Sequence, residues 1–148
     1  MTDAELLAGF ETAELPNDRF HHAEHVRTAW LYLRRDPVLA AIARFTADLK
    51  HFAAAKGAPG LYHETITWAY LLLIHERITA CPAETWDDFA RGNPDLLVWK
   101  GGALSRLYRS ETLASELARR VFVLPDSARE RRASVESPAS ETSTTGSA

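Results

Sequence analysis

The sequence has one cysteine, Cys81, among its 148 residues, so no disulfide can form within the chain. A chain without disulfides fits a reducing compartment, and we therefore expect a cytoplasmic protein. The N-terminus lacks a basic segment followed by an apolar one, so no secretory signal is expected. The longest apolar run, residues 68–74, is far too short to cross a bilayer, and no membrane partner is expected.

An excess of positive charge is missing as well. Seventeen lysines and arginines face twenty aspartates and glutamates, which gives a net charge of −3 with histidine neutral. Binding to nucleic acid or to an anionic membrane surface usually depends on a basic patch. The composition therefore gives no reason to expect either partner.

The alternation of apolar and polar residues that is typical of strands is also absent. Apolar residues instead recur every three or four positions, which predicts amphipathic helices. We predict an all-α fold, a helical bundle of about four principal helices with shorter C-terminal pieces and an extended apolar strap. The principal helices are predicted at residues 3–12, 20–35, 37–57 and 62–80, the shorter pieces at 83–91, 95–99, 103–108 and 110–120, and the strap at 121–125.

The composition changes near Asp126. Hydrophobic residues make up 46% of the chain, enough for one core. Beyond residue 125 the apolar periodicity ends, and Glu, Arg, Ser, Thr, Ala and Gly dominate. We therefore predict a single helical domain at residues 1–125 and a disordered polar tail at 126–148.

Histidines are concentrated where two of the predicted helices begin. Residues 20–26 read FHHAEHV, and residues 62–67 read YHETIT. Residues three and four apart share a helix face, so His22 continues the apolar stripe of its helix and His25 lies at its edge. His63 continues the stripe of the fourth helix. The pattern predicts a polar site where these three imidazoles face one another.

One hypothesis for this site is a metal centre. His22 and His25 from one helix and His63 from another would form a three-nitrogen face for a divalent ion such as Zn, Fe or Mn. Glu64 would then act as a fourth ligand, as a hydrogen-bond acceptor for a ligand, or as a general base. The spacing differs from that of common zinc motifs, and neither a cysteine pair nor clustered aspartates support it.

Three other interpretations stay open. The site could work without metal as a small-molecule enzyme with His63 and Glu64 as catalytic acid or base, or as a ligand-binding protein. The histidines could instead satisfy one another and nearby backbone groups. The chain could also be an interaction module or a homo-oligomer. In an enzyme or binding protein, a pocket should open beside the histidines, lined by substrate-binding residues that we predict as Trp30, Tyr62, Thr67 and Tyr70, with Val26 and Ile66 in its walls.

Four motifs along the chain resemble the pattern of an uncharacterised bacterial family of small helical proteins. They read FxHxxHVxxAWxYL from residue 20, YHETIT from 62, NPxLL from 93 and ARRxFVxPD from 118. The resemblance covers roughly residues 20–126. It implies that His22, His25, His63 and Glu64 belong to the family pattern, and it implies no activity.

Overall fold

A computed structural model describes residues 1–129, and within them the chain is helical, without strands. The predicted all-α class is therefore confirmed. The helices are α1 (Asp3–Glu11), α2 (His22–Arg35), α3 (Val38–Ala55), α4 (Glu64–Ala80), α5 (Trp86–Gly92), α6 (Ser110–Ala114) and α7 (Glu116–Arg120).

Helix α2 lies at the centre and packs against α1, α3 and α4. Its apolar stripe is buried along its whole length, from Val26 through Trp30 to Leu33. Phe10 of α1 is completely buried and stacks against Phe45 of α3, which closes the core on that side. Burying such side chains stabilises the fold by about 1.5–3 kcal/mol each.

Local interactions define where the helices begin and end. We expected Asp18 or a neighbour to cap α2, but His21 precedes it, and the Glu24 carboxylate accepts a hydrogen bond from the His21 N–H at 2.9 Å. Helix α3 ends before Gly57, whose φ of +72° is a conformation that glycine adopts without strain.

The C-terminal helices are shorter than predicted. The helix expected at 110–120 is divided at Ser115, which is extended and caps α7 by accepting from the Ala118 N–H at 3.2 Å. The piece expected at 95–99 is only a 3₁₀ turn, Pro94–Leu96. Serine hydroxyls compete with helical hydrogen bonds, and that competition explains the first break.

The predicted strap, residues 121–125, lies against α4 without helical structure. The Thr65 hydroxyl donates to the Val121 carbonyl at 2.8 Å and accepts from the Val123 N–H at 3.1 Å. Trp68 of α4 stacks on Phe122 of the strap, with ring centroids 5.8 Å apart.

Asp126 belongs with the helical domain, one residue beyond the predicted boundary. Its carboxylate accepts from the Arg109 N–H and from the Thr112 hydroxyl, and residues 126–129 are helical. Most of the predicted tail, residues 130–148, lies outside the described residues. Of the helices in residues 1–129, none has the length and apolar character needed to cross a membrane.

Candidate functional site

A cavity of about 610 Å³ opens between α2, α3 and α4. Its walls are mostly aliphatic and aromatic. The lining residues are Asn17, Phe20, His21, His22, His25, Val26, Ala29, Phe45, Leu49, Phe52, Ala53, Lys56, Ala58, Leu61, Tyr62, His63, Ile66, Thr67, Tyr70, Leu71, Ile74, Trp99 and Arg119.

Three of the four predicted substrate-binding residues line this cavity: Tyr62, Thr67 and Tyr70. Trp30 does not, and its prediction as a contact residue is wrong. It is 1% exposed and packs against Trp86, with ring centroids 5.8 Å apart. The helical period placed Trp30 on the buried face, but that face is wide enough to contact both the cavity and α5.

His22 lies in the first turn of α2 and lines the cavity. Its Nε2 lies 2.9 Å from the Leu96 carbonyl oxygen. A carbonyl only accepts, so Nε2 carries the hydrogen and donates it, and in the neutral ring Nδ1 is an acceptor. The ring also meets the edges of Tyr70 and Trp99, at centroid distances of 5.1 and 5.6 Å.

His25 lies one turn after His22 on α2 and also lines the cavity. Its ring packs on Phe20 with centroids 4.0 Å apart, and no residue in 1–129 forms a hydrogen bond with its nitrogens. Burial lowers the pKa of His25 from 6.5 to about 4, and the nearby His22 and His21 add to this effect while Glu24 opposes it. The imidazole is therefore neutral at pH 7 and keeps one donor and one acceptor in the cavity wall.

His63 precedes α4 and uses both ring nitrogens within the fold. Nδ1 accepts from the Ile66 N–H at 3.1 Å, which caps the helix, and Nε2 donates to the Leu113 carbonyl at 2.7 Å. The side chain is buried, with 8% exposed. No ring nitrogen remains for a metal or for proton transfer, so the structure gives His63 a structural role in place of the predicted catalytic or ligand role.

Glu64 does not line the cavity. Its carboxylate accepts a hydrogen bond of 2.6 Å from the Tyr62 hydroxyl. Burial and this carboxylate raise the pKa of Tyr62, so the phenol stays protonated. The glutamate thus holds Tyr62 in place, and the predicted role as general base or ligand lacks the necessary geometry.

The predicted three-histidine metal face does not assemble. Among residues 1–129, no three or more His, Cys, Asp or Glu side chains come together in an arrangement that could hold a metal ion. The physical reason is the capping role of His63, which leaves only His22 and His25 with an uncommitted nitrogen. Two imidazoles fall short of the three protein ligands that catalytic zinc usually has.

Tyr70 and Trp99 form an aromatic wall beside His22, with their rings 6.4 Å apart and nearly parallel. The Tyr70 hydroxyl is buried and has no hydrogen-bond partner in the described part of the chain. Burial raises the pKa of Tyr70 to about 12, with Asp95 contributing, so this hydroxyl is a protonated donor at neutral pH.

Trp99 is positioned by a clamped loop. Arg77 donates two hydrogen bonds to the Asp95 carboxylate, at 3.0 and 2.8 Å, and one to Asn93 at 2.8 Å. Gly102 allows the chain to close, since a Cβ there would lie 2.7 Å from the Asp95 carbonyl oxygen and closer still to that of Val98. This loop presents both Trp99 and the carbonyl that His22 binds.

One wall of the cavity and both of its charged side chains were not predicted from the sequence. Helix α3 contributes Phe45, Leu49 and Phe52 to that wall. Lys56 and Arg119 also line the cavity. Their signal in the sequence was faint, because basic residues are common at the C-terminal ends of helices, where both of these side chains lie.

Comparison with known proteins adds no further identification. No family model matches the chain, and no match was found among curated proteins or among solved structures. The resemblance to an uncharacterised bacterial family therefore stays a prediction, and a functional assignment depends on the cavity itself.

Proposed function

We propose that this protein binds a small, mostly apolar molecule in the cavity between α2, α3 and α4, with His25 as a polar contact. The observation that carries the proposal is an apolar cavity of about 610 Å³ whose wall contains the unpartnered Tyr70 hydroxyl and the His25 imidazole. Ligand sites typically occupy 300–1,000 Å³ and combine apolar walls with a few polar groups. The buried Tyr70 hydroxyl has no hydrogen-bond partner among residues 1–129, which costs stability, and a hydrogen bond to a ligand would offset that cost.

Binding is favoured over the predicted acid–base enzyme by the pKa of His25. A general base works best when its pKa lies near the operating pH. With a pKa of about 4, His25 is a weak base at pH 7. His63 and Glu64, the two residues predicted as acid or base, both have hydrogen-bond partners within the fold.

Binding is also favoured over a simple interaction module. A pocket beside the histidines is expected of a binding protein and not of an interaction module, and the cavity opens beside His22, His25 and His63. We also propose that the protein is located in the cytoplasm, because Cys81 is an exposed free thiol and a reducing compartment keeps such a thiol reduced.

A neutral fluorescent probe tests the proposal. N-phenyl-1-naphthylamine is uncharged at pH 7.5 and brightens in apolar surroundings. We expect saturable binding of one probe per chain to the wild type. Ile66→Trp fills the cavity and should weaken binding by about tenfold or more, equivalent to at least about 1.4 kcal/mol.

Ile78→Trp is the matched control. Ile66 and Ile78 lie on the same helix and are both partly buried, but only Ile66 lines the cavity. The control should bind like the wild type, and circular dichroism would establish that both variants fold. Equal affinity of Ile66→Trp and the wild type, or absence of saturable binding, would contradict the proposal.

A further inference from the structure

The cavity lining carries positive charge without negative charge. Lys56 and Arg119 are its only fully charged residues, and no aspartate or glutamate within residues 1–129 lines it. This local excess contrasts with the whole chain, whose net charge is −3. A low-dielectric cavity strengthens interactions with such charges, so their sign constrains the ligand.

Neither cation forms an ion pair with a carboxylate of residues 1–129. One Arg119 nitrogen donates to the Gly60 carbonyl at 2.6 Å, which fixes the guanidinium at the cavity. The Lys56 ammonium lies 5.2 Å from the Phe52 ring centroid. Both side chains are half-buried at the cavity. Each therefore offers a ligand a hydrogen-bond donor whose positive charge is not neutralised by a carboxylate of residues 1–129.

We propose that the ligand is an amphiphilic carboxylate, whose apolar body fills the aromatic part of the cavity and whose carboxylate binds Lys56 and Arg119. This inference rests on the proposed function. A guanidinium and an ammonium both donate charge-assisted hydrogen bonds to a carboxylate. The stack of Tyr70 and Trp99 supplies flat apolar surface for the ligand body.

Three probes with one ring system and different head groups test this inference by titration calorimetry at pH 7.5. They are 2-naphthoate, 2-naphthalenemethanol and 2-naphthylmethylamine. We expect the carboxylate to bind at least about tenfold more tightly than the alcohol, as one charge-assisted hydrogen bond would give. The amine should bind most weakly.

Charge-removing variants locate the effect. Lys56→Gln and Arg119→Gln should each reduce the preference for carboxylate over alcohol, measured as the ratio of the two affinities in the same variant, by about threefold or more. Lys100→Gln and Arg120→Gln are the controls, because both residues are exposed and neither lines the cavity. They should keep the full preference.

The outcomes separate the two proposals. If N-phenyl-1-naphthylamine binds but the alcohol or the amine binds as tightly as the carboxylate, the carboxylate inference is overturned and the proposed binding function stands. If the carboxylate preference survives in both cavity variants, the assignment of Lys56 and Arg119 is overturned. If neither the neutral probe nor any naphthalene probe binds, the proposed function itself fails.

Discussion

At the scale of single residues, His25 couples the site to pH. The folded chain keeps its imidazole neutral because burial lowers the pKa to about 4, whereas the unfolded chain has an ordinary pKa near 6.5. Between these values the unfolded state binds more protons, so lowering the pH favours unfolding. The full effect is on the order of 3 kcal/mol, reached as pH falls from about 6.5 to about 4.

The first prediction follows from this linkage. Urea unfolding across this pH range should show the free energy of unfolding falling less steeply in His25→Gln than in the wild type. His51→Gln should retain the wild-type slope, because His51 is exposed on α3. If the free energy of unfolding falls with pH at the same slope in His25→Gln and in the wild type, folding does not lower the pKa of His25.

The second prediction concerns two buried tyrosine hydroxyls. The Tyr70 hydroxyl has no partner among residues 1–129, whereas the Tyr32 hydroxyl donates to Asp48 at 2.5 Å. Removing an unpaired hydroxyl ends a desolvation cost, while removing a paired one leaves its partner unsatisfied. Tyr70→Phe should be neutral or stabilising by up to about 1 kcal/mol, and Tyr32→Phe destabilising by about 1–3 kcal/mol.

Chemical denaturation of the two tyrosine variants measures both effects. Each substitution removes one oxygen from a buried ring, so packing changes little and each variant controls for the other. A large loss of stability in Tyr70→Phe would mean that this hydroxyl has a partner in solution, and the aromatic wall would then need a different description.

At the scale of elements, His63 joins the start of α4 to α6. The third prediction is that His63→Ala, which removes both hydrogen bonds, costs roughly 2 kcal/mol or more. His63→Asn keeps a capping side chain but loses the bond to Leu113, so it should cost less. His51→Ala, at an exposed position, should change stability by no more than about 0.5 kcal/mol.

Thermal unfolding with and without a chelator distinguishes this cap from a metal ligand. If His63 acts as a cap, the melting temperature should be highest in the wild type, lower in His63→Asn and lowest in His63→Ala. A chelator should change none of the three values. A wild-type melting temperature that falls with chelator to the value of His63→Ala would restore the metal hypothesis.

The loop of residues 93–102 is the second element on which the site depends. The fourth prediction is that Gly102→Ala destabilises the protein by about 1–3 kcal/mol, because the added methyl group meets backbone oxygens that cannot move aside. It should also weaken probe binding, since the loop carries Trp99 and the acceptor of His22. Gly92→Ala is the control, with open space around its Cβ position.

Fluorescence titration and urea unfolding of the two glycine variants measure both effects together. Full probe affinity in a destabilised Gly102→Ala variant would show that the loop contributes to the fold without shaping the cavity.

At the scale of the whole molecule, the sequence predicted the helices better than the space between them. The four principal helices were expected close to their observed bounds, because apolar periodicity depends only on neighbouring residues. Val26 and Ile66 were expected in the cavity wall and line it, whereas the stripe of α3 gave no sign that its residues face a cavity. Leu49 and Phe52 look like core residues in the sequence, and the folded structure places them in the cavity wall.

The site was predictable to the same limited degree. His22 and His25 could be placed on one face by spacing, and Tyr70 by its position on the stripe. The commitment of His63 to Leu113 joins residues fifty positions apart, and no local pattern indicates it.

The central claim is that one small apolar molecule occupies the cavity between α2, α3 and α4. The fifth prediction is its most direct test, nuclear Overhauser contacts between bound N-phenyl-1-naphthylamine and assigned side-chain methyl groups. The account predicts contacts to Val26, Ile66 and Ile74, which line the cavity. Contacts confined to the exposed Leu117 and Leu124 would contradict it, because the probe would then bind the surface and the cavity would have no ligand.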